Sequence, residues 1–413
     1  MNKRKRFWLI LILGLLSAIG PFSIDMYLPG FPAIANDLNT SVDHVSYSLS
    51  SFFIGICIGQ LICGPLLDRF GRKRPLYVGL LIYILASLGC AISHSIGLLV
   101  AFRFLQALGG CVGMVAPRAV VRDVFPVEEN AKIFSLLVLV LGVSPIIAPT
   151  AGSYIVTAFG WHAVFVVLAI ITAILLVAVV FFLPESKQPD PTYSLLPKPI
   201  INNFMAVIRE PQFYTYALAG GIASAGLFAY LSGSPFLFME LFGVTEKQYG
   251  WIFALIAMGL ISSSQLNNLL LKKYTSEAII KVTLLLQSII GVLLLVGTAA
   301  GWLELYSTVF LMFLFLSCQG FTFPNSSALS MAPFSKGAGS ASALMGALQM
   351  GLGAMASALV GALNNGTAIP VTAVMAACAL LGFAILAIGQ KKILSAPRSE
   401  DLQEQTLDLV EKY

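Results

Sequence analysis

Twelve apolar stretches limit what this 413-residue chain can fold into, since about 20 apolar residues are what an α-helix needs to cross a bilayer. Continuous apolar runs also exclude an outer-membrane β-barrel, whose strands alternate over about ten residues. With 58% hydrophobic and 10% charged residues, the composition is not that of a soluble globular domain. The sequence predicts an all-α membrane protein with twelve transmembrane helices, at 7–36, 44–67, 75–94, 98–120, 131–157, 162–183, 212–239, 248–271, 278–299, 305–331, 337–363 and 369–389.

Positive charge is distributed unequally between the two sides of the predicted spans. The basic cluster at 3–6 and nearly all other lysines and arginines fall on one side, and the opposite side carries only Lys247. Because lysine and arginine are enriched in cytoplasmic connections, both termini are predicted to be cytoplasmic. We expect a multi-pass protein of the bacterial inner (cytoplasmic) membrane, in contact with the lipid bilayer. The net charge of +5 reflects this orientation, and no nucleic-acid partner is expected.

A polar, proline-rich segment divides the spans into two groups of six. It runs from Pro184 to Pro211 and is the only long internal loop in the sequence. A long unstructured connector usually links units that move separately, or carries function. The predicted organisation is a first six-helix half at 1–183, a cytoplasmic linker at 184–211, a second six-helix half at 212–390 and a cytoplasmic tail at 391–413.

A short internal repeat supports the two halves. Residues 27–32 read YLPGFP and residues 230–235 read YLSGSP, at an offset of 203 positions. Two parallel six-helix repeats are common in secondary transporters, where the substrate site lies between them near the bilayer midplane. The same offset aligns Asp25 with Phe228 and Arg103 with Tyr306, so the charged groups inside the spans are confined to the first half.

Asp25 and Arg103 lie inside otherwise apolar spans, where a charge costs about 2.5–3.5 kcal/mol or more and therefore indicates function. On straight helices they would lie about 16 Å and about 12 Å from the same side, so the two charges could pair. Burial disfavours the charged carboxylate and a guanidinium favours it, so a conformational change could make Asp25 exchange its proton. The alternative is a static ion pair that locks helix 1 to helix 4.

The connection after the second span, GPLLDRFGRKRP at 64–75, combines an acid with bases and glycines. Its first glycine is expected to allow close helix approach, its second glycine to form a tight turn, and its aspartate to pair with the bases or to face a helix N-terminus. A basic loop that only sets topology is the alternative. The predicted conformational-switch residues are Gly64, Asp68, Arg69, Gly71, Arg72, Lys73 and Asp123.

The fifth span contains two prolines, each of which removes a backbone hydrogen bond and kinks a helix. A kinked helix between the halves can act as a gate, although membrane helices also simply tolerate proline. The predicted gate-helix residues are Gly142, Pro145, Pro149 and Gly152.

The substrate cavity is expected to be apolar and aromatic with a few polar groups. The candidates are aromatic, thioether and amide side chains inside the spans: Met26, Tyr27, Phe53, Gln60, Gln106, Phe228, Tyr230, Gln265, Asn268, Gln319, Asn325 and Gln349. The sequence contains no metal-ligand spacing, phosphate-binding loop, dinucleotide fingerprint or nucleophile elbow. We therefore expect no metal, no cofactor and no enzymatic activity.

Several of these segments resemble motifs of one transporter family. The loop at 64–75 resembles the signature loop of the major facilitator superfamily. Residues 24–34, 103–110 and 142–154 resemble motifs of its 12-span drug:proton antiporter branch, and together with 331–346 they are most similar to its Bcr/CflA-type (bicyclomycin/chloramphenicol-resistance) subgroup. Ala107 stands where that branch has glycine, and the fifth-span motif matches only in part.

The resemblance implies the major facilitator fold, with a role for the matching arginine, Arg103, in proton handling. The expected activity is proton-coupled export of drugs or similar small amphipathic compounds by alternating access, with the substrate and protons as partners and a monomeric protein. The alternative is a proton-coupled carrier of a metabolite such as an amino acid or sugar, which would usually have more charges in its cavity. A membrane receptor without transport is a further alternative.

Overall fold

The computed structural model describes residues 3–125, 127–190, 197–334 and 338–395, and in these ranges it is helical with short connections. The helices are α1 Lys3–Asp25, α2 Phe31–Asp37, α3 Val42–Phe70, α4 Lys73–Ala91, α5 Ile96–Val124, α6 Val127–Phe159, α7 Trp161–Phe182, α8 Pro197–Ile208, α9 Pro211–Pro235, α10 Glu246–Leu270, α11 Ser276–Ala299, α12 Leu305–Met331, α13 Ala338–Ala362 and α14 Ile369–Ser395. Twelve spans in the described ranges are long and apolar enough to cross a membrane, as the sequence predicted. The all-α class is confirmed.

Hydroxyl side chains begin several of the spans. The Ser41 Oγ accepts a hydrogen bond from the backbone N–H of His44 at the start of α3, and the Thr275 Oγ1 does the same for Ala278 at the start of α11. Thr245 and Gln248 form a reciprocal capping box at the start of α10. These caps satisfy N–H groups that have no partner within the helix, which explains why the spans begin at these residues.

The first span is interrupted, whereas the sequence analysis treated it as one straight helix. α1 ends at Asp25, a single 3₁₀ turn follows at Leu28–Gly30, and α2 then begins. Pro29 lacks the N–H that would bond the Asp25 carbonyl four residues earlier, which explains why α1 ends there, while Pro32 lies in the first turn of α2, where proline is tolerated. The depth of Asp25 worked out from a continuous helical rise is therefore wrong. The repeated motif in the second half, residues 230–235, instead lies within α9, and a π-helical turn follows it at Phe236–Leu241.

The two groups of six spans meet along two pairs of helices. We call α1–α7 the first half and α9–α14 the second half. α3 packs against α13, and α6 packs against α10, while the 3₁₀ turn at Leu28–Gly30 contacts both α9 and α10. We call the side on which α1 begins the terminal side, and the side of the turn between α2 and α3 the far side. The break in the first span thus lies at the contact between the halves.

The linker contains more regular structure than the sequence analysis expected. Residues 197–208 form α8, because a proline begins a run that is amphipathic with helical period. Val207 of α8 is buried in an apolar cluster with Phe213 of α9. Residues 191–196 of the linker, 335–337 of the motif at 331–346, and 396–413 of the predicted tail lie outside the described residues. α14 continues to Ser395, past the predicted tail boundary.

Candidate transport site

Arg103 is fully buried inside the first half and is held by neutral groups. Its Nη1 donates to the Gln106 Oε1 at 2.6 Å, and its Nη2 donates to the Ser23 backbone oxygen at 3.0 Å. The guanidinium carbon lies 4.2 Å from the ring centroid of Tyr27 and 4.1 Å from that of Phe52. Cation–π contacts of this kind strengthen when water is excluded, so aromatic faces and uncharged acceptors stabilise the cation.

A second layer of hydrogen bonds fixes the groups that hold Arg103. The Gln106 Nε2 donates to the Ser87 Oγ at 2.7 Å, and the Ser23 Oγ lies 2.6 Å from the Tyr83 hydroxyl oxygen. These contacts connect α1, α4 and α5 within one half. Gln106, predicted to line the substrate cavity, is instead buried against α4 as a partner of Arg103. Phe52 and Ser23 were not among the predicted site residues.

Asp25 does not pair with Arg103 in this conformation. Its side chain is 5% exposed, and within the described part of the chain the carboxylate has neither an ion-pair nor a hydrogen-bond partner. The guanidinium reaches the carbonyl of Ser23, two residues earlier, while α1 ends at Asp25. The carboxylate is close enough to Tyr230 of α9 and Tyr249 of α10 to act electrostatically on both phenols. Asp25 therefore lies at the contact between the halves, and Arg103 lies inside one of them.

The connection between α3 and α4 forms a buried ion cluster on the terminal side. The Arg72 Nε donates to the Asp123 Oδ2 at 2.7 Å, and its Nη1 donates to the Asp68 Oδ1 at 3.1 Å. Burial lowers the pKa of Arg72, but the hydrogen bonds and charges of Asp123 and Asp68 raise it overall. Arg72 is only 5% exposed, so the removal of Asp123 or Asp68 would leave a buried cation short of a partner, and the cluster joins the end of α5 to the loop.

The segment after α7 completes this cluster, and the sequence analysis did not identify it. The Lys187 Nζ donates to the Asp68 Oδ1 at 2.7 Å. The Glu185 carboxylate accepts hydrogen bonds from the backbone N–H groups of Arg72 at 2.7 Å and Lys73 at 3.1 Å. Gly71 has φ +80°, and a Cβ there would lie 2.9 Å from the Lys187 carbonyl oxygen. The loop therefore fastens the start of the linker to the first half.

Two further loop residues complete the predicted set. Arg69 contributes its carbonyl oxygen, which accepts from the Asp190 backbone N–H at 3.0 Å. Gly64 was expected to allow close helix approach, but no described atom lies within 4 Å of a Cβ built there. That expectation is wrong in this conformation.

The predicted gate helix α6 packs directly against the break in the first span. A Cβ on Gly152 would lie 1.9 Å from the Met26 carbonyl oxygen, so only glycine fits. Pro145 and Pro149 lie inside α6, which continues through both. On the neighbouring face, Gly142 lies next to Ile261 of α10. α6 thus contacts both the first span and the second half.

The aromatic cavity candidates are buried at the contact between the halves. The rings of Phe53 on α3 and Phe228 on α9 meet edge to face with centroids 4.6 Å apart. A Cβ on Gly353 of α13 would lie 2.5 Å from the Phe228 ring. Towards the far side, the Ser50 Oγ and the Ser357 Oγ are 2.7 Å apart. These contacts close the interface between α3, α9 and α13.

The remaining cavity candidates of the first half lie either beside Arg103 or at the contact between the halves. Met26 and Tyr27 are buried, and the Tyr27 hydroxyl lies 3.2 Å from the Ser48 Oγ. Gln60 is half-buried beside Gly346 of α13. Tyr27 is therefore a partner of Arg103, and Gln60 belongs to the contact between the halves.

The amide candidates of the second half do not converge on one cavity. Gln319 donates to Ser224 and accepts from Gln287, and the Asn325 Nδ2 donates to the Asn267 Oδ1 at 2.7 Å. These amides pair with one another, although the Gln287 Oε1 and the Asn325 Oδ1 have no partner in the described part of the chain.

The other three amide candidates lie nearer the surface. Gln265 and Asn268 are exposed, because helix phase turns their neighbour Asn267 inward instead. Gln349 is half-buried and lines a narrow cleft with Ser224 and Ser326, between α9, α12 and α13. Gln349 thus borders a cleft, whereas Gln319 and Asn325 are buried among their partners.

The sequence matches a family model described as Major Facilitator Superfamily over residues 11–358. It is 36% identical to an uncharacterized MFS-type transporter, YdgK, of Bacillus subtilis, over 92% of this chain and 94% of that protein. It is 31% identical to a bicyclomycin resistance protein homolog of Haemophilus influenzae, over 92% of this chain and 96% of that protein. It is also 31% identical to the multidrug resistance protein MdtL of Escherichia coli, over 80% and 82% of the two chains.

The fold is similar to solved transporter structures. A bacterial homologue of the human lysosomal transporter Spinster, solved inward-facing and unoccupied, superimposes with a TM-score of 0.70 at 14% identity, covering 94% of this chain and 96% of that one. A D-xylose–proton symporter superimposes with a TM-score of 0.69 at 13% identity, covering 92% and 98%. At these identities the likeness concerns the fold alone.

Proposed function

Since this chain belongs to the Major Facilitator Superfamily, in the Bcr/CflA-type drug:proton antiporter group, and is a transporter rather than an enzyme, we propose that it exports drugs or similar small amphipathic compounds in exchange for protons, by alternating access. The observation that carries the proposal is the unpaired carboxylate of Asp25, buried where the first span breaks between the two halves. A buried acid without a counterion is costly in its charged form and therefore tends to hold a proton.

In the proposed cycle Asp25 is the proton carrier. Its carboxylate lies at the contact between the halves, so a rocking motion changes its exposure to water and its neighbours. In the conformation open to the cytoplasm, the acid releases its proton as substrate binds. In the outward conformation it takes up a proton as substrate leaves. Protons then move inward and substrate moves outward.

Arg103 has a different proposed role. The acceptors of its hydrogen bonds and the rings that it contacts all belong to the first half, so the cation moves with that half as one body. We assign to it a fixed positive potential near the first span, which favours release of the Asp25 proton without forming a direct ion pair. The alternative of a static Asp25–Arg103 lock has no support in this conformation.

The cargo is proposed to be neutral or weakly polar. Within the described residues, the buried amides of the second half are largely paired with one another, and the aromatic candidates meet at the interface. An apolar, aromatic lining suits amphipathic drugs, whereas a polar metabolite would need more free polar groups. The names of the relatives, which refer to bicyclomycin and multidrug resistance, point the same way.

The remaining proposals concern topology and moving parts. Both termini face the cytoplasm of a bacterial cell, the protein lies in the inner membrane, and it works as a monomer. The ion cluster around Arg72 is the proposed conformational switch, since it fastens the loop and the linker to one half. α6 is the proposed gate, because it contacts both the first span and α10.

The test is substrate-triggered proton release from purified protein in detergent at neutral pH, with bicyclomycin and chloramphenicol as probes. We expect release from wild type and none from Asp25→Asn, which should still fold and bind the drug. Glu277→Gln, which removes an exposed carboxylate in the first turn of α11, is the matched control and should release protons like wild type. Undiminished release from Asp25→Asn would refute Asp25 as the carrier. Binding without release in wild type would refute antiport.

A further inference from the structure

We propose that Tyr230 is the hydrogen-bond donor for the deprotonated Asp25 carboxylate, across the contact between the two halves. Tyr230 would thus be a positioning residue that connects the protonation of the first half to its contact with the second. The inference rests on the proposed function, which makes Asp25 the proton carrier. The proposed function does not name a hydrogen-bond donor for the Asp25 carboxylate, and an unpaired hydroxyl in the structure is the candidate.

The Tyr230 hydroxyl has no hydrogen-bond partner in the described part of the chain, although its side chain is only 1% exposed. Its ring is well packed, with its centroid 5.7 Å from that of Phe253. Tyr249, the other phenol near Asp25, differs in this respect, because its hydroxyl lies 2.8 Å from the Ser234 Oγ. A buried unpaired hydroxyl is unusual and requires an explanation, which a second conformation can supply.

The internal repeat explains why this hydroxyl lacks a local partner. Tyr230 occupies the position of Tyr27 in the first half, whose hydroxyl lies beside the Ser48 Oγ and whose ring covers Arg103. At the offset of 203 residues, Ser48 corresponds to Trp251, which is exposed. Counted from the starts of α5 at Ile96 and α12 at Leu305, Arg103 corresponds to the buried Met312. The second half therefore has neither the serine hydroxyl nor the cation that Tyr27 contacts in the first half.

The unpaired carboxylate lies on the opposite side of the same contact. The 3₁₀ turn that follows Asp25 packs against α9 and α10, and the charge of Asp25 acts on both Tyr230 and Tyr249. Among the other charged or titratable groups around this end of α1, Tyr83 pairs with the Ser23 hydroxyl and Tyr27 pairs with Ser48. Arg103 donates to Gln106 and the Ser23 carbonyl, and its Nε, which has no partner in the described part of the chain, belongs to a guanidinium covered by first-half rings. Tyr230 therefore offers an unpaired hydroxyl from the second half at the contact that holds the unpaired Asp25 carboxylate.

The bond would depend on the charge of Asp25. A hydrogen bond to an ionised carboxylate is roughly twice as strong as one between neutral groups. Loss of the proton therefore strengthens the contact between α1 and α9, and uptake of the proton weakens it. Since these helices belong to different halves, the proton on Asp25 biases how firmly the halves meet at the break in the first span.

The test compares Tyr230→Phe with Tyr249→Phe. Both changes remove one hydroxyl and keep the ring, and the melting temperature in detergent checks that each variant folds. The measurement is the pH midpoint of bicyclomycin-triggered proton release. Without its donor, the charged carboxylate is less stable, so the midpoint of Tyr230→Phe should move to higher pH by about one unit, with drug binding retained. Tyr249→Phe should leave the midpoint near that of wild type.

The outcomes separate this inference from the proposed function. An unchanged midpoint in Tyr230→Phe, with release still abolished by Asp25→Asn, would overturn the role of Tyr230 and leave Asp25 as carrier. Equal shifts in both phenylalanine variants would overturn the assignment to Tyr230 in particular. Release that survives Asp25→Asn would instead refute the proposed function.

Discussion

The contacts of Arg103 predict that replacing it with lysine destabilises the protein although the charge is kept. In wild type the planar guanidinium donates two hydrogen bonds and lies between the Tyr27 and Phe52 rings. A lysine ammonium is compact and cannot stack in this way. We expect Arg103→Lys to lose at least one hydrogen bond of a charged group, worth about 1.5–3 kcal/mol, and part of the ring contacts, worth about 0.5–2 kcal/mol.

The free energy of unfolding therefore falls by about 2–5 kcal/mol, from one charge-assisted bond and one ring contact. The assay is reversible unfolding in mixed micelles, with the midpoint and slope determined for each variant. Arg122→Lys, on the same helix but at an exposed position in its last turn, is the matched control and should change stability by less than about 0.5 kcal/mol. If Arg103→Lys were as stable as this control, the hydrogen bonds and ring contacts of the guanidinium would not be what stabilises the buried cation.

Two further predictions concern the close helix contact and the ion cluster. Gly152→Ala should lower the melting temperature and drug export, because the new methyl group overlaps the Met26 carbonyl oxygen, whereas Gly64→Ala, with open space around it, should be neutral or stabilising by about 0.5–1 kcal/mol. Equal melting temperatures for the two variants would contradict this packing. Asp68→Asn should cost about 1–3 kcal/mol by weakening the hydrogen bonds from Arg72 and Lys187 and should speed proteolysis of the linker, as followed by limited trypsin digestion. Digestion at the wild-type rate would show that the cluster does not fasten the linker.

The twelve spans could be predicted because each is recognised from the mean hydropathy of about 20 residues, which a single polar residue or proline changes little. The break after Asp25 was missed because a long apolar run was treated as one helix. Pro29 could have indicated it, since proline cannot donate the hydrogen bond that would continue the helix past Asp25. This error also affected the expected Asp25–Arg103 pair, since that estimate used a straight helical rise. The partners of Arg103, among them the Ser23 carbonyl, are backbone and aromatic groups that no sequence motif distinguishes.

The sequence did not predict which amide side chains of the second half point into the protein. Gln265 and Asn268 were chosen as amides in a span, but one residue of helix rotates a side chain by about 100°, and Asn267 is the one that points inward. Arg72 and Asp123 were both among the predicted switch residues, and the structure pairs them. Glu185 was not, because its contact depends on how the chain returns after α7.

The neutral surroundings of Arg103 have an electrical consequence. A cation without a paired anion, fixed inside one half, contributes the same charge at every stage of a rocking motion. In the proposed mechanism, the charge carried across the membrane in exchange for a neutral compound is then set by the proton on Asp25 alone. Each such proton is driven by the membrane potential with about 2.3 kcal/mol per 100 mV. Export of a neutral drug would therefore be electrogenic, and a voltage across the membrane could drive it without any difference in pH.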